Sequence, residues 1–342
     1  MTRTNGQWVL ARRPEGMVQE SDFEYKEESV REIQDGEVLV RNLYLAFEPA
    51  MRGWLDDVPS YIPPVGLGEV MRASTVGQVI ESKNADYPKG KLVSGMFGWQ
   101  QYYIGGGGGG PMGGMTSVPD GIPPQRMLSL LGGTGLTAYF GTHAVHPIQE
   151  GDNVLVSGAA GATGSVVAQI ARLRGAGKVV GIAGGADKCD WLLNTAKIDG
   201  AIDYKNENVG RRIREEFPKG VDLFFDNVGG EILDVTLPRM SDNGRITLCG
   251  GISGYNEKEL PAGPRNIMQI VIHRLSVRGF ILFDHIGGVA EAITDLRRWS
   301  DSGELVVEED IQEGFENTPK TFLRLFQGKN LGKQLIKIAD AE

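Results

Sequence analysis

The stretch that most constrains this chain is NVLVSGAAGATGSVVAQIARLR, residues 153–174. Its first five residues are short and largely apolar, which is typical of a parallel strand covered on both faces. Small residues follow in the pattern Ala159-x-Gly161-x-x-Gly164, and apolar side chains then recur at helical spacing. A strand, a small-residue turn and a helix in direct succession match the phosphate-binding turn of a Rossmann fold, with alanine in place of the first glycine. We therefore predict that residues 158–164 approach the pyrophosphate of a dinucleotide.

The end of the next strand, Lys178–Ala183, bears on which dinucleotide is bound. A cofactor with a free ribose 2′-hydroxyl usually meets Asp or Glu about 20 residues after the glycines. This chain has Gly184-Gly185 there, and Lys188 follows one turn into the next predicted helix, where its ammonium group can pair with a 2′-phosphate. We predict NADP(H) rather than NAD(H), although a solvated first-turn lysine accounts for the spacing of Lys188 equally well.

Composition sets the class of the protein. The 342 residues suit two domains, and 41% hydrophobic with 23% charged residues is typical of a globular chain. A net charge of -9 argues against a nucleic-acid surface. No apolar run approaches the roughly 18 residues of a membrane span, and the first residues lack an apolar stretch of signal-peptide length. With only Cys189 and Cys249 as thiols, we expect a cytoplasmic protein.

Residues 1–125 are rich in short β patterns and turns. We expect strands at residues 7–11, 37–41 and 75–81. Residues 47–53 and 60–64 contain proline and apolar side chains, which is typical of loops that can line a cleft. The six glycines at residues 105–110 are predicted to form a mobile surface loop without strand or helix, and a simple linker accounts for them better than a lid.

From Pro124 onward, helical and strand patterns alternate. A helix pair interrupted at Gly132-Gly133 is expected in residues 125–144. Strands are expected at residues 153–157, 178–183, 201–204, 221–226, 245–249 and 276–281. Intervening helices make a parallel, doubly wound sheet the economical topology. The tail, with a helix near residues 289–299, a β stretch at 305–311 and a last strand at 334–338, is expected to return to the first module.

Several motifs together carry a family resemblance. In chain order they are PAMRGWL, GEVMRASTVGQV, GLTAYFG, AAGATGSVVAQIA, DYKNE, FDNVGGE, CGGISGYN and NLGKQL. The chain resembles the zinc-independent medium-chain dehydrogenase/reductase superfamily, in the branch of leukotriene B4 12-hydroxydehydrogenase/prostaglandin reductases, plant 2-alkenal reductases and the bacterial curcumin reductase. The resemblance implies an α/β protein with a GroES-like β-rich substrate domain at residues 1–125, a Rossmann doubly wound parallel-sheet domain at 126–285 and a C-terminal return at 286–342. It also implies an active site in the cleft between the domains, and NADPH-dependent reduction of the carbon-carbon double bond of enals and enones.

The same resemblance assigns cofactor contacts by position. The pyrophosphate turn corresponds to Gly161, Ala162, Thr163 and Gly164. The residues that hold the 2′-phosphate correspond to Lys188 and Tyr204. The segment beside the nicotinamide and its phosphates corresponds to Cys249, Gly250, Gly251, Ile252, Ser253 and Tyr255. The other cofactor contacts correspond to Asn227, Phe280, Ile281, Leu282 and, from the tail, Asn330.

The substrate pocket is assigned to Ala50, Met51 and Tyr61. Ala50 stands where plant members have a tyrosine, in their DPYMR version of PAMR, and Glu48 precedes the proline here. A wider and less polar pocket wall is implied. The physiological substrate and its size therefore stay open.

The sequence offers no evident metal site or nucleophile. The two cysteines are distant, and His143 and His146, although spaced i, i+3, are expected at the surface because Pro147 ends their helix. Without metal or nucleophile, the reaction must rely on positioning and on stabilising an enolate-like oxygen. The resemblance gives that role to Tyr255. A turn tyrosine that only packs is the alternative.

Two other functions are compatible with the sequence. A quinone oxidoreductase of the same superfamily would share the fold and the cofactor, although CGGISGYN and DNVGGE weigh against it. A non-catalytic NADPH-binding protein is the other. The expected partners are a small-molecule enal or enone and, from the resemblance, a second copy in a homodimer, with neither nucleic acid nor membrane.

Overall fold

The computed structural model describes residues 3–107, 114–259 and 261–342. Its strands are β1 (Thr4–Leu10), β2 (Phe23–Ser29), β3 (Val38–Ala46), β4 (Thr75–Ser82), β5 (Leu92–Gly95), β6 (Tyr102–Gly105), β7 (Thr116–Ser117), β8 (Asn153–Ser157), β9 (Lys178–Ala183), β10 (Gly200–Asp203), β11 (Val221–Asp226), β12 (Met240–Leu248), β13 (Ser276–Gly279), β14 (Glu309–Glu313) and β15 (Lys333–Lys337). Its helices are α1 (Gly133–Phe140), α2 (Ala162–Leu173), α3 (Ala186–Asn194), α4 (Val209–Glu216), α5 (Gly230–Thr236), α6 (Gln269–Ile272), α7 (Val289–Asp301) and α8 (Thr318–Phe326).

The chain divides into two compact units. The first comprises Met1–Ser129 and Glu309–Glu342, and the second comprises Leu130–Glu308. Residues 286–308, which were predicted to belong with the tail, lie in the second unit. The reason is that α7 packs on α1, where the Tyr139 hydroxyl donates a hydrogen bond to Asp295 Oδ2 at 2.8 Å.

The second unit is built on a parallel sheet. Among the described residues, its strand order is β10-β9-β8-β11-β12-β13, and every neighbouring pair is parallel. Counted from β8, this is the order 3-2-1-4-5-6 of a doubly wound Rossmann sheet. Val154, Leu155 and Val156 are fully buried, as a strand covered by helices on both faces requires. The predicted α/β class with a Rossmann sheet is confirmed.

The first unit is rich in antiparallel β structure. Its larger sheet has the order β14-β15-β3-β4-β5-β7, with β6 also paired to β3, and β1 and β2 form a separate hairpin. The tail contributes strands β14 and β15 and helix α8 to this unit. Phe322 of α8 packs edge-on against Trp99, with ring centroids 5.6 Å apart. The tail therefore contributes to the core of the first unit.

Two local expectations differ from the structure. The predicted helix pair at residues 125–144 is a 3-10 turn at Pro124–Met127, then α1, which continues as a π-helical turn at Gly141–Val145. The predicted glycine loop begins one residue too early, because Gly105 is the last residue of β6 and pairs with Val38. Residues 108–110 of that loop lie outside the described residues. No helix in the described ranges is both long and apolar enough to cross a membrane.

Candidate functional site

The turn between β8 and α2 presents backbone N–H groups at a helix end. Gly158 has a φ of 58°, and the Gly161 N–H closes the turn on the Gly158 carbonyl oxygen at 2.9 Å. The first backbone hydrogen bond of α2 runs from Ser165 to Gly161 at 3.0 Å, and Gly161 offers no side chain as a cap. The N–H groups of residues 162–164 therefore have no acceptor within the helix, which is the arrangement that binds anions.

Gly164 lets α2 approach the strand end. A Cβ at this position would lie 2.4 Å from the Gly158 carbonyl oxygen and 2.9 Å from Ala159 Cα. Both neighbours are backbone atoms, so a side chain cannot be accommodated without moving the turn. Gly161, Ala162, Thr163 and Gly164 thus form one compact turn, and its shape and the N–H groups of residues 162–164 fit a pyrophosphate.

Lys188 and Tyr204 follow the ends of two neighbouring strands, β9 and β10. Lys188 lies in the first turn of α3, which begins directly after Gly185. Tyr204 follows β10, donates its N–H to the Ala183 carbonyl oxygen at 3.0 Å, and is 47% exposed. Its ring lies against Gly184, where a Cβ would approach ring atoms to 2.7 Å. A cation in the helix that follows β9 and a phenol directly after β10 suit a phosphate ester.

A buried polar network joins the ends of β8 and β11. Ser157 Oγ donates to Asp226 Oδ1 at 2.6 Å, and Asp226 also accepts the N–H groups of Val228 and Gly229. Asn227 donates its side-chain amide to the Ser157 carbonyl oxygen at 2.7 Å. Burial raises the pKa of Asp226, while these hydrogen bonds oppose the shift. This network fixes the turn at Asn227, next to the sheet position where strand order reverses and dinucleotides bind.

The roles of Ser157 and Asp226 were not predicted from the sequence. A polar residue ending an apolar strand was the available signal, since Ser157 ends NVLVS and Asp226 ends VDLFFD. In both cases the side chain serves the turn that follows the strand.

The segment after β12 carries Tyr255 back over the β11 turn. Ile252 and Ser253 lie in a 3-10 turn, Ile252–Gly254, and Ser253 Oγ donates to the Val228 carbonyl oxygen at 2.6 Å. The Gly251 N–H donates to the Tyr255 hydroxyl oxygen at 3.1 Å. Tyr255 is half-buried and directed at the backbone of its own segment, where a Cβ on Gly250 would lie 3.0 Å from the hydroxyl oxygen.

A pocket of about 560 Å³ opens at the carboxyl ends of β11, β12 and β13. Its lining includes Asp226, Gly229, Cys249, Gly250, Phe280 and Ile281. Burial, with a contribution from Asp226, raises the pKa of the Cys249 thiol to about 12. Cys249 is therefore a neutral wall residue rather than a nucleophile. Leu282 follows at the start of the 3-10 segment Leu282–Gly288.

The remaining predicted residues belong to the first unit. Ala50 and Met51 lie in the 3-10 segment Pro49–Leu55, where Met51 is fully buried and Ala50 is partly exposed. Tyr61 is 48% exposed, and its hydroxyl oxygen accepts the Trp54 Nε1–H at 3.2 Å. Asn330 is buried and donates its amide to the Gly332 carbonyl oxygen at 3.0 Å.

An ion pair adjoins that 3-10 segment. Lys333 is 2% exposed, and its Nζ lies 3.2 Å from Glu48 Oε1, directly before Pro49. No role was predicted for Lys333 from the sequence, although it lies in the motif NLGKQL. The pair ties β15 to the start of the segment that carries Ala50.

The prediction for His146 is wrong. His146 is buried, with its ring nitrogens 3.2 Å from Thr247 Oγ1 and 3.1 Å from Ser276 Oγ. Burial, together with the charges of Arg278 and Arg245, lowers its pKa to about 4. Two hydroxyl partners on β12 and β13 allow the ring to be accommodated inside, whereas His143 is exposed. Across residues 3–107, 114–259 and 261–342, no three His, Cys, Asp or Glu side chains are grouped to hold a metal ion.

Two family models match the chain. Residues 6–110 match the N-terminal domain of oxidoreductase, and residues 162–298 match a model described as zinc-binding dehydrogenase. The second match spans α2, strands β9 to β13 and Tyr255.

Full-length relatives agree with these models. The chain is 37% identical to the NADPH-dependent curcumin reductase of Escherichia coli, over 98% of this chain and 97% of the relative. It is 34% identical to the NADP(+)-dependent 2-alkenal reductase of Nicotiana tabacum, over 98% of both chains. The crystal structure of CurA in complex with NADPH from Vibrio vulnificus superposes with a TM-score of 0.92 at 36% identity, covering 98% of this chain and 99% of that one. The chain therefore belongs to the medium-chain dehydrogenase/reductase superfamily, in the branch that includes the curcumin reductases and the 2-alkenal reductases.

Proposed function

We propose that this protein is an NADPH-dependent reductase of the carbon-carbon double bond of α,β-unsaturated aldehydes and ketones. The observation that carries the proposal is the Tyr255 hydroxyl, which Gly251 holds by a hydrogen bond of 3.1 Å. It lies in the same segment as Cys249 and Gly250, which line the pocket at the strand ends. The names of the curcumin and 2-alkenal reductases supply the substrate class.

The turns at the strand ends support an assignment of the cofactor contacts. We place the pyrophosphate at residues 161–164, the 2′-phosphate at Lys188 and Tyr204, and the nicotinamide half along the segments 249–255 and 280–282. The family resemblance assigns further cofactor contacts to Asn227 and Asn330. When bound, NADPH supplies the hydride that adds to the β-carbon of the substrate. The chain's own part is to bind, to orient and to stabilise charge.

Tyr255 is proposed to donate a hydrogen bond to the substrate carbonyl oxygen. That oxygen gains negative charge as the reaction proceeds, so a donor fixed beforehand stabilises the transition state more than the bound substrate. A hydroxyl that already accepts a hydrogen bond, here from Gly251, is a stronger donor. The proton added at the α-carbon can come from solvent. Ala50, Met51 and Tyr61 are proposed for the substrate pocket.

The test is a substrate panel at saturating NADPH. Enals, ring-containing enones, curcumin-like dienones and quinones are compared by NADPH oxidation, and the products are identified by mass spectrometry. The proposal expects saturated aldehydes and ketones as products. Exclusive turnover of quinones would assign the protein to the quinone oxidoreductases, and no turnover with intact NADPH binding would make it a binding protein.

We further propose a homodimer in the cytoplasm, acting on small molecules without nucleic acid or membrane. Four neighbouring apolar side chains next to the outermost strand of the described sheet, β13, are about half exposed or more, and a second copy could cover them: Ile267, Met268, Val271 and Ile272. Cys189 and Cys249 are free thiols, as suits a reducing compartment. Light scattering of the purified chain measures the oligomeric state, and a monomer would contradict this part.

A further inference from the structure

Asp203 ends β10 beside the turn that ends β9. The strand register pairs Asp203 with Ala183, the last residue of β9. Gly185, two residues beyond the end of β9, donates its N–H to Asp203 Oδ1 at 2.8 Å. A side chain of one strand therefore closes the turn that follows the other.

Gly185 combines a backbone conformation typical of glycine with a position at the start of α3. Its φ of 99° is a conformation that glycine adopts and other residues avoid. Gly185 is also the N-terminal cap of α3 and brings no side chain of its own to that role. The Gly185 carbonyl oxygen accepts the Cys189 N–H at 3.2 Å, so the orientation of Gly185 sets where the first turn of α3, with Lys188, begins.

Asp203 also holds the residues on the other side of this corner. Its Oδ1 accepts the Lys205 N–H at 3.0 Å, and its Oδ2 accepts the Asn206 side-chain amide at 2.7 Å. Tyr204 lies between Asp203 and the anchored Lys205, with its ring against Gly184. One carboxylate thus anchors both the turn before Lys188 and the backbone around Tyr204.

The hydrogen bonds that Asp203 accepts also bear on whether it can accept one from the ribose of a cofactor. The hydrogen bond from Gly185, followed by that from Asn206, holds the pKa of Asp203 below its usual value, so the group is a carboxylate at neutral pH. A carboxylate at a Rossmann strand end commonly accepts the ribose 2′-hydroxyl and favours NAD. In Asp203, both oxygens already accept hydrogen bonds from the protein.

We propose that Asp203 is a positioning residue for cofactor preference, which holds the Gly184–Gly185 turn and Tyr204 in the conformation that accepts a 2′-phosphate. This inference rests on the proposed function, which places that phosphate at Lys188 and Tyr204. It predicts that the preference for NADPH over NADH depends on a carboxylate that touches neither cofactor.

The test measures binding without turnover. Dissociation constants for NADPH and NADH are determined by fluorescence titration of the full chain, for wild type, Asp203→Ala, Asp203→Asn, Lys188→Ala and Asp199→Ala. Asp199 is the matched control, because its Oδ2 accepts the Val179 N–H at 2.7 Å at the opposite end of the same two strands. Thermal unfolding is recorded for each variant.

Asp203→Ala should weaken NADPH by about tenfold or more, the size expected if the displaced turn loses one hydrogen bond to the charged 2′-phosphate, and NADH by less than about threefold. Asp203→Asn keeps an acceptor oxygen for Gly185 and should stay within about threefold of wild type for both cofactors. Asp199→Ala should leave the ratio of the two constants unchanged.

Several results would overturn the inference. Tighter NADPH binding by either Asp203 variant would mean that the carboxylate repels the phosphate. A selective loss of NADH affinity would mean that the carboxylate accepts the 2′-hydroxyl. Equal losses of NADPH affinity in Asp203→Ala and Asp199→Ala would show that the effect is not specific to the corner at Asp203. If Asp203→Ala does not fold, a shift in the cofactor ratio of tenfold in Asp203→Asn is sufficient to reject it. Unchanged NADPH affinity in Lys188→Ala would instead reject the phosphate placement of the proposed function.

Discussion

Replacing Tyr255 with phenylalanine removes one oxygen and keeps the ring, so it isolates the hydroxyl. In the structure this hydroxyl is fixed by the Gly251 N–H at 3.1 Å. Loss of one fixed oxyanion donor costs about 10² to 10³ in kcat in other enzymes. We expect a fall of about 10- to 100-fold, because a ribose hydroxyl of the cofactor can supply a second donor.

The same substitution separates catalysis from stability. A donor that acts on developing charge affects kcat more than KM, and NADPH affinity should be unchanged. The Gly251 N–H loses its acceptor, which should lower the free energy of unfolding by about 1 kcal/mol. Stopped-flow hydride transfer to a simple enal at saturating NADPH measures the first effect, and urea denaturation measures the second.

Tyr139→Phe is the matched control. The Tyr139 hydroxyl donates to Asp295 Oδ2 at 2.8 Å in the same unit, between α1 and α7. Its loss should reduce stability without changing the rate of the chemical step. If Tyr255→Phe retains the wild-type rate of that step, Tyr255 is a packing residue and the reasoning about its hydroxyl is refuted.

Three further outcomes are expected. Lys188→Ala should weaken NADPH far more than NADH, since a hydrogen bond to a charged group contributes about 1.5–3 kcal/mol, and equal losses in titration would contradict the assignment. Prolonged chelation should leave activity unchanged, whereas stoichiometric zinc in elemental analysis would overturn the mechanism. His146, with a folded pKa of about 4 against about 6.5 unfolded, binds fewer protons in the native state between those values. The stabilising contribution of neutral His146 should therefore be fully present above about pH 6.5, and the free energy of unfolding should fall by up to about 3 kcal/mol toward pH 4. His146→Gln should flatten this pH dependence in urea titrations. Parallel curves for wild type and variant would show that the pKa of His146 is not depressed.

The sequence predicted best where structure depends on neighbours along the chain. Strand β8, the turn at residues 158–161 and helix α2 follow one another directly, and Gly164 is required there because the Gly158 carbonyl oxygen leaves no room for a Cβ. The bounds of β8, β9 and β11 agree with the predicted strands. In each case an apolar run covered on both faces ends at a polar or small residue.

Prediction failed where a distant partner decides the outcome. Nothing near His146 in sequence indicates the hydroxyls of Thr247 and Ser276 that receive its ring. Gly105 joins β6 because Val38 of β3 lies opposite and supplies a paired backbone. Residues 286–308 lie in the second unit because α7 packs on α1. This contact joins residues far apart in the chain, so the local sequence of α7 does not indicate it.

Three of the polar residues whose roles were missed, Ser157, Asp203 and Asp226, lie at the carboxyl edge of the parallel sheet. Strands buried on both faces must be apolar until they end, and at that edge the N–H groups of the next turn have left the ladder and require acceptors. Asp226 accepts from Val228 and Gly229, and Asp203 accepts from Gly185. These carboxylates are therefore occupied in shaping turns, and the proposed function assigns anion binding to the turns themselves. A sequence that places Gly-Gly at the end of the second strand and Asp at the end of the third can be read in the same way, with the acid of one strand stabilising the turn of its neighbour.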